Sequence, residues 1–413
     1  MSPRTLLSLL LLCAVSALVV VAAADVTPFP CNCGNATAAT ASTSAAPFSV
    51  GGPVSVPGDL TLHPWASYET VWYIGQVSTI PTAEAPVVRR FGVLYTLYAT
   101  GSAQGMCPSG VGGVWAALAV PDAKPLNEGR IRRHSHHRRA PTTASSAPAP
   151  GAFLQDSRLL PAGMASSAQP FALWDAAHQW GLRQVASSTK APEQQWMQMN
   201  FTASSSADGG FGYNLQLDAS RIPVQAMAAS GTMPGTCVQH RGQPRIAAKG
   251  TVSIGKETLL VAGTVWYQHM WGSPPAGAGL RWRWFNAELS DGWAAQFVFF
   301  DAPAEQVALS YGNLISPDGR NNTYIPAADM QLQQDPAATW ISPHSGKAYN
   351  TSSTISVPSL GLQLQYRTWQ ADNEVLLTPG SNTAIFYEGV SDVWGTHRAS
   401  AVTGNGYTER FQG

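Results

Sequence analysis

The chain has 413 residues, of which 12% are charged, with 24 Lys and Arg residues balanced by 24 Asp and Glu residues. This balance gives no electrostatic attraction to nucleic acid or to an anionic membrane surface, and it argues against partners of either kind. The length suggests two domains, and the 38 glycines and 30 prolines favour short strands and turns over long helices.

The N-terminus has the features of a secretory signal peptide. Arg4 precedes an apolar run over residues 6–24, and three alanines before Asp25 form the small-residue site that signal peptidase prefers. An uncleaved signal anchor is the alternative, because the run is nearly long enough to span a bilayer. We predict a signal peptide at residues 1–24, a low-complexity linker at residues 25–46, and a secreted protein with no further membrane segment.

Four cysteines remain after the predicted cleavage, and an even number in a secreted chain suggests two disulfides. A bridge between the first two would be strained, because one residue separates them, so each is expected to reach one of the later two. A Cys-x-Cys metal site is less well supported, because no second close pair exists. The cysteines are Cys31, Cys33, Cys107 and Cys237. Candidate glycosylation sequons begin at Asn35, Asn200, Asn321 and Asn350.

Folded sequence is predicted from residue 47 onwards, mostly as short strands bounded by Gly, Pro and polar turn residues. A two-residue turn at Gly255-Lys256 would join strands over residues 246–254 and 259–271. A stronger hairpin signal lies at residues 290–292, because Asp-Gly favours positive φ. Two separate strands near the C-terminus are predicted over residues 383–387 and 393–395. Regular short strands of this kind indicate all-β barrels or sandwiches.

A basic, histidine-rich insertion interrupts the strand pattern over residues 121–152. Its residues 130–139 include five arginines and three histidines. Metal binding, contact with a polyanion and cleavage at dibasic sites are candidate roles, but no carboxylate or cysteine accompanies the histidines. A solvated, disordered insertion explains the block more simply, because crowded like charges repel and few apolar residues are available to bury.

The most informative segment is residues 263–286, which holds four of the fourteen tryptophans. Side chains alternate across a strand, so Tyr267, His269 and Trp271 would share one face and the residues between them the other. A phenol, an imidazole and an indole in a row indicate either a packed barrel interior or the wall of a ligand pocket.

Further motifs follow this segment in a fixed order. GTVWYQHMWG at residues 263–272 is followed by WRWFNAELSDG at 282–292 and WISPHSGKAY at 340–349. Glu388-Gly389 and then GYTE at residues 406–409 complete the series. In this order the motifs resemble those of the hydroxyneurosporene synthase (carotenoid 1,2-hydratase) and AttH-like family. The resemblance covers the folded sequence outside the insertion.

The resemblance implies an all-β fold of two tandem lipocalin-like antiparallel β-barrels. We place the junction at residue 272, which gives domains at residues 47–272 and 273–413. Carotenoid hydratases of this family protonate an alkene and add water without a cofactor. Related fungal tandem barrels resemble pericyclases, and many other members are secreted proteins of unknown activity. The sequence has no Gly-x-Ser-x-Gly elbow, dinucleotide fingerprint or P-loop that would indicate another chemistry.

Hydration needs a proton donor, aromatic faces that stabilise a cation, and a positioned water. We predict His269 as the donor or water-positioning group, because its unperturbed pKa lies near neutrality, with Tyr267 and Gln268 as catalytic neighbours. Gln268 stands where the family has an aspartate, and an amide cannot deliver a proton. A packed aromatic core is the alternative interpretation of the strand. The predicted ligand-binding residues are Trp266, Trp271, Trp282, Trp284, Asn286, Trp72 and Tyr73.

Together these residues predict a secreted hydratase or cyclase that needs no cofactor or metal and acts on a hydrophobic polyene or terpenoid-like substrate. The alternative is a non-catalytic extracellular protein that binds an apolar small molecule, which the missing aspartate favours. A structural glycoprotein with filled barrels is a third hypothesis. An acidic side chain within reach of His269 would favour the enzyme.

Overall fold

The computed structural model describes most of the folded sequence, and the structural statements below concern the residues that it describes. These are residues 68–83, 86–100, 111–121, 152–161, 164–168, 171–175, 181–184, 198–204, 210–230, 237–273, 281–301, 310–377 and 384–411. The predicted signal peptide, the linker and the basic block at 130–139 lie outside them, as do Cys31, Cys33, Asn35 and Cys107. The features predicted there, including the disulfides, stay predictions.

Two large sheets and one small sheet contain the 24 strands of the described residues. The first sheet contains β1 (Tyr68–Thr79), β2 (Arg90–Thr100), β3 (Val111–Val120), β4 (Ala152–Pro161), β5 (Met164–Ala168), β6 (Phe171–Asp175), β7 (Gly181–Gln184), β8 (Gln198–Ser204), β9 (Phe211–Asp218), β10 (Gln225–Ser230), β11 (Cys237–Ile254) and β12 (Glu257–Ser273). The second sheet begins with β13 (Trp282–Leu289), β14 (Ala294–Phe300), β15 (Tyr311–Ile315), β16 (Asn322–Pro326) and β17 (Gln331–Gln334). The small sheet consists of β18 (Thr339–Ile341) and β19 (Ala348–Asn350). The second sheet is completed by β20 (Ser352–Val357), β21 (Leu362–Thr368), β22 (Glu374–Leu377), β23 (Ala384–His397) and β24 (Ser400–Phe411). Single 3-10 turns occur at Ala327–Asp329, Pro336–Ala338 and Pro358–Leu360.

Neighbouring strands run antiparallel in both large sheets. The first sheet has the order β4-β3-β2-β1-β12-β11-β9-β8-β7-β6-β5, with β10 also paired to β11. The second has the order β16-β15-β14-β13-β24-β23-β21-β20-β17, with β22 paired to β23. Among the described residues, no helix combines the length and hydropathy needed to cross a membrane.

Both sheets curl strongly into half-barrels. In the first sheet, Tyr213 of β9 donates a hydrogen bond to the Leu94 carbonyl of β2 at 2.6 Å. These strands are four steps apart in the sheet order, which would separate them by about 19 Å if the sheet were flat. In the second sheet, Phe285 of β13 and Tyr366 of β21 bring their ring centroids to 5.2 Å although two strands lie between them. The predicted all-β fold of two tandem lipocalin-like antiparallel units is therefore confirmed.

The first sheet contains strands up to Ser273, and the second begins at Trp282. The junction predicted at residue 272 lies at the end of β12, and the predicted domain limits stay predictions. Within each sheet, the turns at Gly255 (φ 57°) and Gly292 (φ 93°) close the two predicted hairpins.

One continuous strand, β23, replaces the two short strands predicted near the C-terminus. Gly389 and the polar residues after it break the apolar pattern of the sequence, but β23 pairs with β24 from Phe386 to His397. Gly389 is required for a steric reason, because a Cβ atom there would lie 2.6 Å from Cγ2 of Thr368. The local pattern therefore signals close packing at this glycine rather than the end of a strand.

The described residues form three apolar clusters, one inside each half-barrel and one between the two sheets. Tyr73 and Tyr267 belong to the cluster inside the first half-barrel, and Phe285 to the cluster inside the second. Trp266 of the first sheet and Trp284 of the second meet in the cluster between the sheets. Strands that contribute to two clusters are buried on both faces, which explains why β14 and β15 are apolar with little alternation.

Polar side chains also join the two sheets. Gln76 of β1 donates hydrogen bonds to the backbone carbonyls of Ser391 and Gly406 at 3.0 and 3.1 Å. Arg90 of β2 forms an ion pair with Asp392 of β23 at 2.7 Å. These contacts join β1 and β2 of the first sheet to β23 and β24 of the second.

Candidate functional site

Strand β12 divides the predicted site residues between two environments. Tyr267, His269 and Trp271 face the interior of the first half-barrel, as the alternation predicts. Trp266 and Gln268 face the second sheet. Of the other predicted residues, Tyr73 joins the interior group, and Trp72, Trp282, Trp284 and Asn286 lie on the faces between the sheets. The structure therefore does not bring the predicted residues together in one pocket.

Glu69 is the acidic partner of His269 that the sequence analysis did not identify. Its Oε1 lies 2.7 Å from His269 Nε2, and His269 Nδ1 lies 3.0 Å from the Tyr267 hydroxyl. All three side chains are buried. Glu69 is on β1, 200 residues away in sequence, and pairs with Trp271 in register. In the sequence, Glu69 could have been found only as the one carboxylate in the largely apolar segment from Tyr68 to Val77.

The Glu69–His269–Tyr267 group forms a carboxylate–imidazole–phenol relay. Both ring nitrogens of His269 are engaged, so these hydrogen bonds fix the orientation of the imidazole. Arg241 extends the polar cluster, with its guanidinium carbon 5.3 Å from the centroid of the Trp271 ring. The relay can move a proton among its three members, but neither nitrogen of His269 is left for a substrate.

A pair of buried carboxyl groups lies on the second sheet, facing the first. Glu388 of β23 and Glu409 of β24 are direct cross-strand partners, and each is 3% exposed. Trp282 donates its indole N–H to Glu409 Oε1 at 2.6 Å, and the Tyr407 hydroxyl donates to Glu388 Oε2. Both glutamates belong to the closing motifs of the sequence, yet local pattern alone did not identify them as site residues.

The environment of this pair favours the neutral carboxylic acids. Burial raises the pKa of Glu388 well above its usual range, and the nearby Glu409 raises it further, against the opposing effect of the Tyr407 hydrogen bond. Burial also raises the pKa of Glu409, while the hydrogen bond from Trp282 lowers it. Two carboxyl groups in such contact titrate as a pair and retain a proton to higher pH than a solvated glutamate.

Aromatic rings surround the carboxyl pair. The Trp282 and Phe411 ring centroids are 4.4 Å apart. Trp284 lies 5.9 Å from Tyr407 and meets Trp266 of the first sheet edge-to-face at 6.3 Å. The carboxyl groups therefore lie among π-systems whose faces can stabilise a positive charge.

His240 and Tyr311 form a second polar contact between the sheets. His240 of β11 accepts or donates at Nδ1 a hydrogen bond of 2.5 Å with the hydroxyl of Tyr311 on β15. Burial lowers the pKa of His240 to about 3, with a further lowering by the charge of Arg241 and an opposing effect of the hydrogen bond with Gln268. His240 is therefore neutral near pH 7. Its partner is 71 residues away in the sequence, so no local pattern indicates this contact.

A cavity of about 820 Å³ opens at another part of the cleft between the sheets. Glu288 lines it and accepts hydrogen bonds from Thr264 Oγ1 at 2.6 Å and from the Arg245 backbone N–H at 2.7 Å. Burial raises the pKa of Glu288, and these hydrogen bonds oppose that shift. Arg90 and Asp392 also line the cavity. None of the residues predicted to bind ligand or to catalyse is among those that line it.

The WISPHSGKAY motif forms a hydroxyl cage around a buried carboxylate. Ser342 and Ser345 each donate to Glu374 at 2.5 Å, and Tyr349 donates to it at 2.7 Å. These bonds tie the β18–β19 hairpin to β22. The motif therefore has a structural role in the described residues, and its hydroxyl groups are already committed to Glu374.

Three of the predicted glycosylation sequons lie within the described residues. Asn321 is exposed, whereas Asn350 is half-buried and donates its amide to the Asp335 carbonyl. Asn200 lies in β8, and Cys237, a predicted disulfide residue, begins β11. Modification at these residues stays a prediction. Within the described part of the chain, no three His, Cys, Asp or Glu side chains gather in a group able to hold a metal ion.

Comparison of the fold with solved structures identifies related tandem sheets. A candidate AttH protein from Nitrosomonas europaea superposes with a TM-score of 0.64 at 17% sequence identity, covering 89% of this chain and 98% of that protein. Kievitone hydratase from Nectria haematococca superposes with a TM-score of 0.59 at 14% identity, covering 90% of this chain and 94% of that enzyme. At these identities the likeness shows a shared fold.

Comparison of the sequence gives the family. No curated protein sequence matches the chain. A model of the AttH-like family matches residues 125–411, which is more than half of the chain. The match includes β12 and the whole second sheet, so it contains both the relay strand and the buried carboxyl pair. The chain therefore belongs to the AttH-like family.

Proposed function

We propose that this protein is a hydratase that adds water to a carbon–carbon double bond of an apolar, polyene or terpenoid-like substrate. The observation that carries the proposal is the buried pair of Glu388 and Glu409, which favours the protonated acids and lies among indole and phenol rings. Alkene protonation needs a general acid, and a buried carboxylic acid that holds its proton near neutral pH can supply that proton. The fold shared with a hydratase supports the proposal.

The reaction is a balanced acid-catalysed addition. Glu409 transfers its proton to one alkene carbon, and the electron pair of the double bond forms the new C–H bond, leaving a carbocation at the other carbon. The rings of Trp282 and Trp284 stabilise this cation. Water then forms the C–O bond and releases a proton, which returns to the Glu409 carboxylate. The net change is the addition of one water molecule, and the chain supplies each acid–base group of the step.

Glu409 is a better proton donor for this step than His269. Glu69 and Tyr267 occupy both nitrogens of the imidazole, whereas the proton of a carboxylic acid is held by a single bond and can be transferred. We therefore assign His269 a structural role, in which its two hydrogen bonds stabilise the interior of the first half-barrel. We further propose that the protein is secreted, with residues 1–24 as its signal peptide, and that the substrate is supplied outside the cell or in the secretory pathway.

The alternative is a binding protein that carries an apolar small molecule without changing it. The cavity of about 820 Å³ favours this alternative, because its volume suits a small ligand and it lies apart from the carboxyl pair. Ligand held there would be recovered unchanged.

Isotope labelling tests the proposal. Purified protein is incubated with isoprenoid alkenes and polyenes in H2 18O, and the extract is analysed by mass spectrometry. If the protein is a hydratase, the product should be heavier than the substrate by one H2 18O molecule. Wild type should form this product, and so should Glu257→Gln, a control substitution at an exposed residue. Glu409→Gln should form it at least about 10²-fold more slowly. Equal product from Glu409→Gln and wild type contradicts the proposal, and recovery of only unchanged ligand supports the binding protein.

A further inference from the structure

The cavity of about 820 Å³ between the sheets contains none of the groups assigned to hydration, and its side chains indicate which ligand it would hold. Its volume lies in the range of small-molecule sites, about 300–1,000 Å³. Strands β13, β23 and β24 supply one wall, and β2, β11 and β12 supply residues of the facing wall. Side chains that can form hydrogen bonds outnumber apolar ones among the residues that line it.

The strand register places four of these side chains on one patch of the second sheet. Asp392 of β23 pairs with Asn405 of β24, and Trp394 pairs with Thr403. Direct cross-strand partners point to the same face, with Cβ atoms about 4.5–5.5 Å apart. The two pairs are two residues apart along each strand, so they share this face at a spacing of about 7 Å. These four residues form the cleft patch, and all of them line the cavity.

Within the cleft patch, Asp392 is held in place but keeps one oxygen open. Its Oδ1 accepts hydrogen bonds from Arg90 at 2.7 Å and from the Trp369 indole at 2.9 Å. Arg90 also packs over the Trp369 ring, with its guanidinium carbon 4.6 Å from the centroid. Oδ2 has no hydrogen-bond partner among the described residues, and the side chain is 46% exposed. A ligand would therefore meet an acceptor that is already ordered, which lowers the entropy cost of binding.

The other three members of the cleft patch are also open to a ligand. The side chains of Asn405 and Thr403 are exposed and form no hydrogen bond within the described part of the chain. Asn405 offers two donors and one acceptor beside the open acceptor of Asp392. Trp394 is 37% exposed, although tryptophan is usually well buried, and it presents an apolar ring next to these polar groups.

The lining fits neither an apolar nor an anionic ligand well. An apolar molecule, the occupant under the alternative function, would remove water from Asp392 and Asn405 without replacing its hydrogen bonds. An anion would meet the Asp392 carboxylate. Two of the arginines at the cavity are already committed, Arg90 to Asp392 and Arg245 to two backbone carbonyls. Arg221 also lines the cavity, but its exposure to solvent screens its charge.

We propose that the cleft patch binds a neutral sugar. A sugar ring carries hydroxyl groups around its edge and apolar C–H groups on its faces. The hydroxyl groups donate to Asp392 Oδ2 and pair with the Asn405 amide and the Thr403 hydroxyl. One C–H face of the ring covers the exposed indole of Trp394. This site is independent of the proposed hydratase function, because none of its four residues takes part in the proton transfer assigned to Glu409.

Saturation-transfer difference NMR on the purified protein tests the site. The probes are the methyl glycosides of glucose, galactose and mannose, with glucuronate as the anionic comparison and geraniol as the apolar competitor. We expect at least one neutral glycoside to bind, with the strongest saturation transfer at the C–H protons of one ring face. It should bind more tightly than glucuronate, and geraniol should not displace it. Binding of none of the three glycosides, tighter binding of glucuronate, or displacement by geraniol overturns the proposal.

Variants at exposed residues place the sugar on the cleft patch. Trp394→Ala removes the stacking surface and Asn405→Ala removes hydrogen bonds, so each should weaken glycoside binding about tenfold. Ile341→Ala and Gln363→Ala are the matched controls, an exposed apolar side chain and an exposed amide outside the cavity, and both should bind as wild type does. Substitutions at such exposed residues leave the fold intact. Unchanged binding in both Trp394→Ala and Asn405→Ala overturns the proposal. Glu409→Gln should lose hydration and still bind the glycoside, which separates failure of one proposal from failure of the other.

Discussion

The two faces of β12 carry buried polar groups that differ in how completely they are paired. Towards the interior of the first half-barrel, His269 uses both ring nitrogens, one with Glu69 and one with Tyr267. Towards the second sheet, Trp266 Nε1 has no hydrogen-bond partner in the part of the chain that the structure describes. Alternate residues of β12 thus belong to two sets of buried polar groups. One set is fully hydrogen-bonded, and the other includes an atom without a hydrogen-bond partner.

This difference distinguishes buried polar groups that stabilise the fold from buried polar groups that can bind a ligand or transfer a proton. A completed buried network holds its members in one geometry and leaves no group to bind a ligand. An incomplete network, or a carboxyl group kept protonated by burial, retains binding or proton-transfer capacity that a ligand can use. We therefore assign the His269 side to stabilising the fold, and the side facing Glu388 and Glu409 to the proposed chemistry.

The largest expected effect is on the functional side. Glu409→Gln keeps the shape of the side chain and an acceptor for Trp282, but an amide cannot transfer the proton. We expect kcat for hydration to fall by about 10²–10⁴, the usual contribution of a general acid. Product formation under saturating substrate measures this fall, and near-UV circular dichroism verifies that the variant is folded. Unchanged kcat would remove Glu409 from catalysis.

On the structural side, Glu69→Ala should lower stability rather than turnover. The substitution leaves His269 without its carboxylate partner in a buried site, and we expect the free energy of unfolding to fall by roughly 3 kcal/mol. Urea denaturation measures the loss. Glu69→Gln, which retains an acceptor for His269, should lose less. If Glu69→Gln remains folded but loses as much kcat as Glu409→Gln, then the relay is catalytic and the two faces have been assigned the wrong way round.

The carboxyl pair also predicts how stability depends on pH. Burial raises the pKa of Glu409 to about 7, so the folded protein binds the proton more tightly than the unfolded chain. This contribution is complete below the pKa of an unfolded glutamate, about 4.3, and is lost as the pH rises through about 7. Urea midpoints measured from pH 5 to 8 should fall for wild type and fall less for Glu409→Gln. Parallel curves for the two proteins would mean that Glu409 titrates normally.

The sequence predicted the features of the molecule that depend on neighbouring residues. Both hairpin turns, the alternation along β12 and the all-β fold follow from local patterns. The partners of His269 and Gln268 do not, because Glu69 and His240 come from strands distant in the sequence. Pairing in a curled sheet depends on register between strands, which alternation within one strand does not specify. The prediction of two short strands in place of β23 was wrong for a related reason. Gly389 interrupts the apolar pattern because a side chain there would clash with Thr368, not because a strand ends.

The smallest expected effect is at Tyr267, which the sequence predicted to be catalytic. Tyr267→Phe removes only the hydroxyl that meets His269 Nδ1, and the ring still packs against Tyr73 at 5.1 Å between centroids. We expect the free energy of unfolding to fall by about 1 kcal/mol, with kcat unchanged. Tyr267 and Glu69 both contact the imidazole of His269. The stability lost through Tyr267→Phe should therefore differ between the wild-type protein and Glu69→Gln, whereas the losses at independent sites would add. Strict additivity would show that the interior group is not one network.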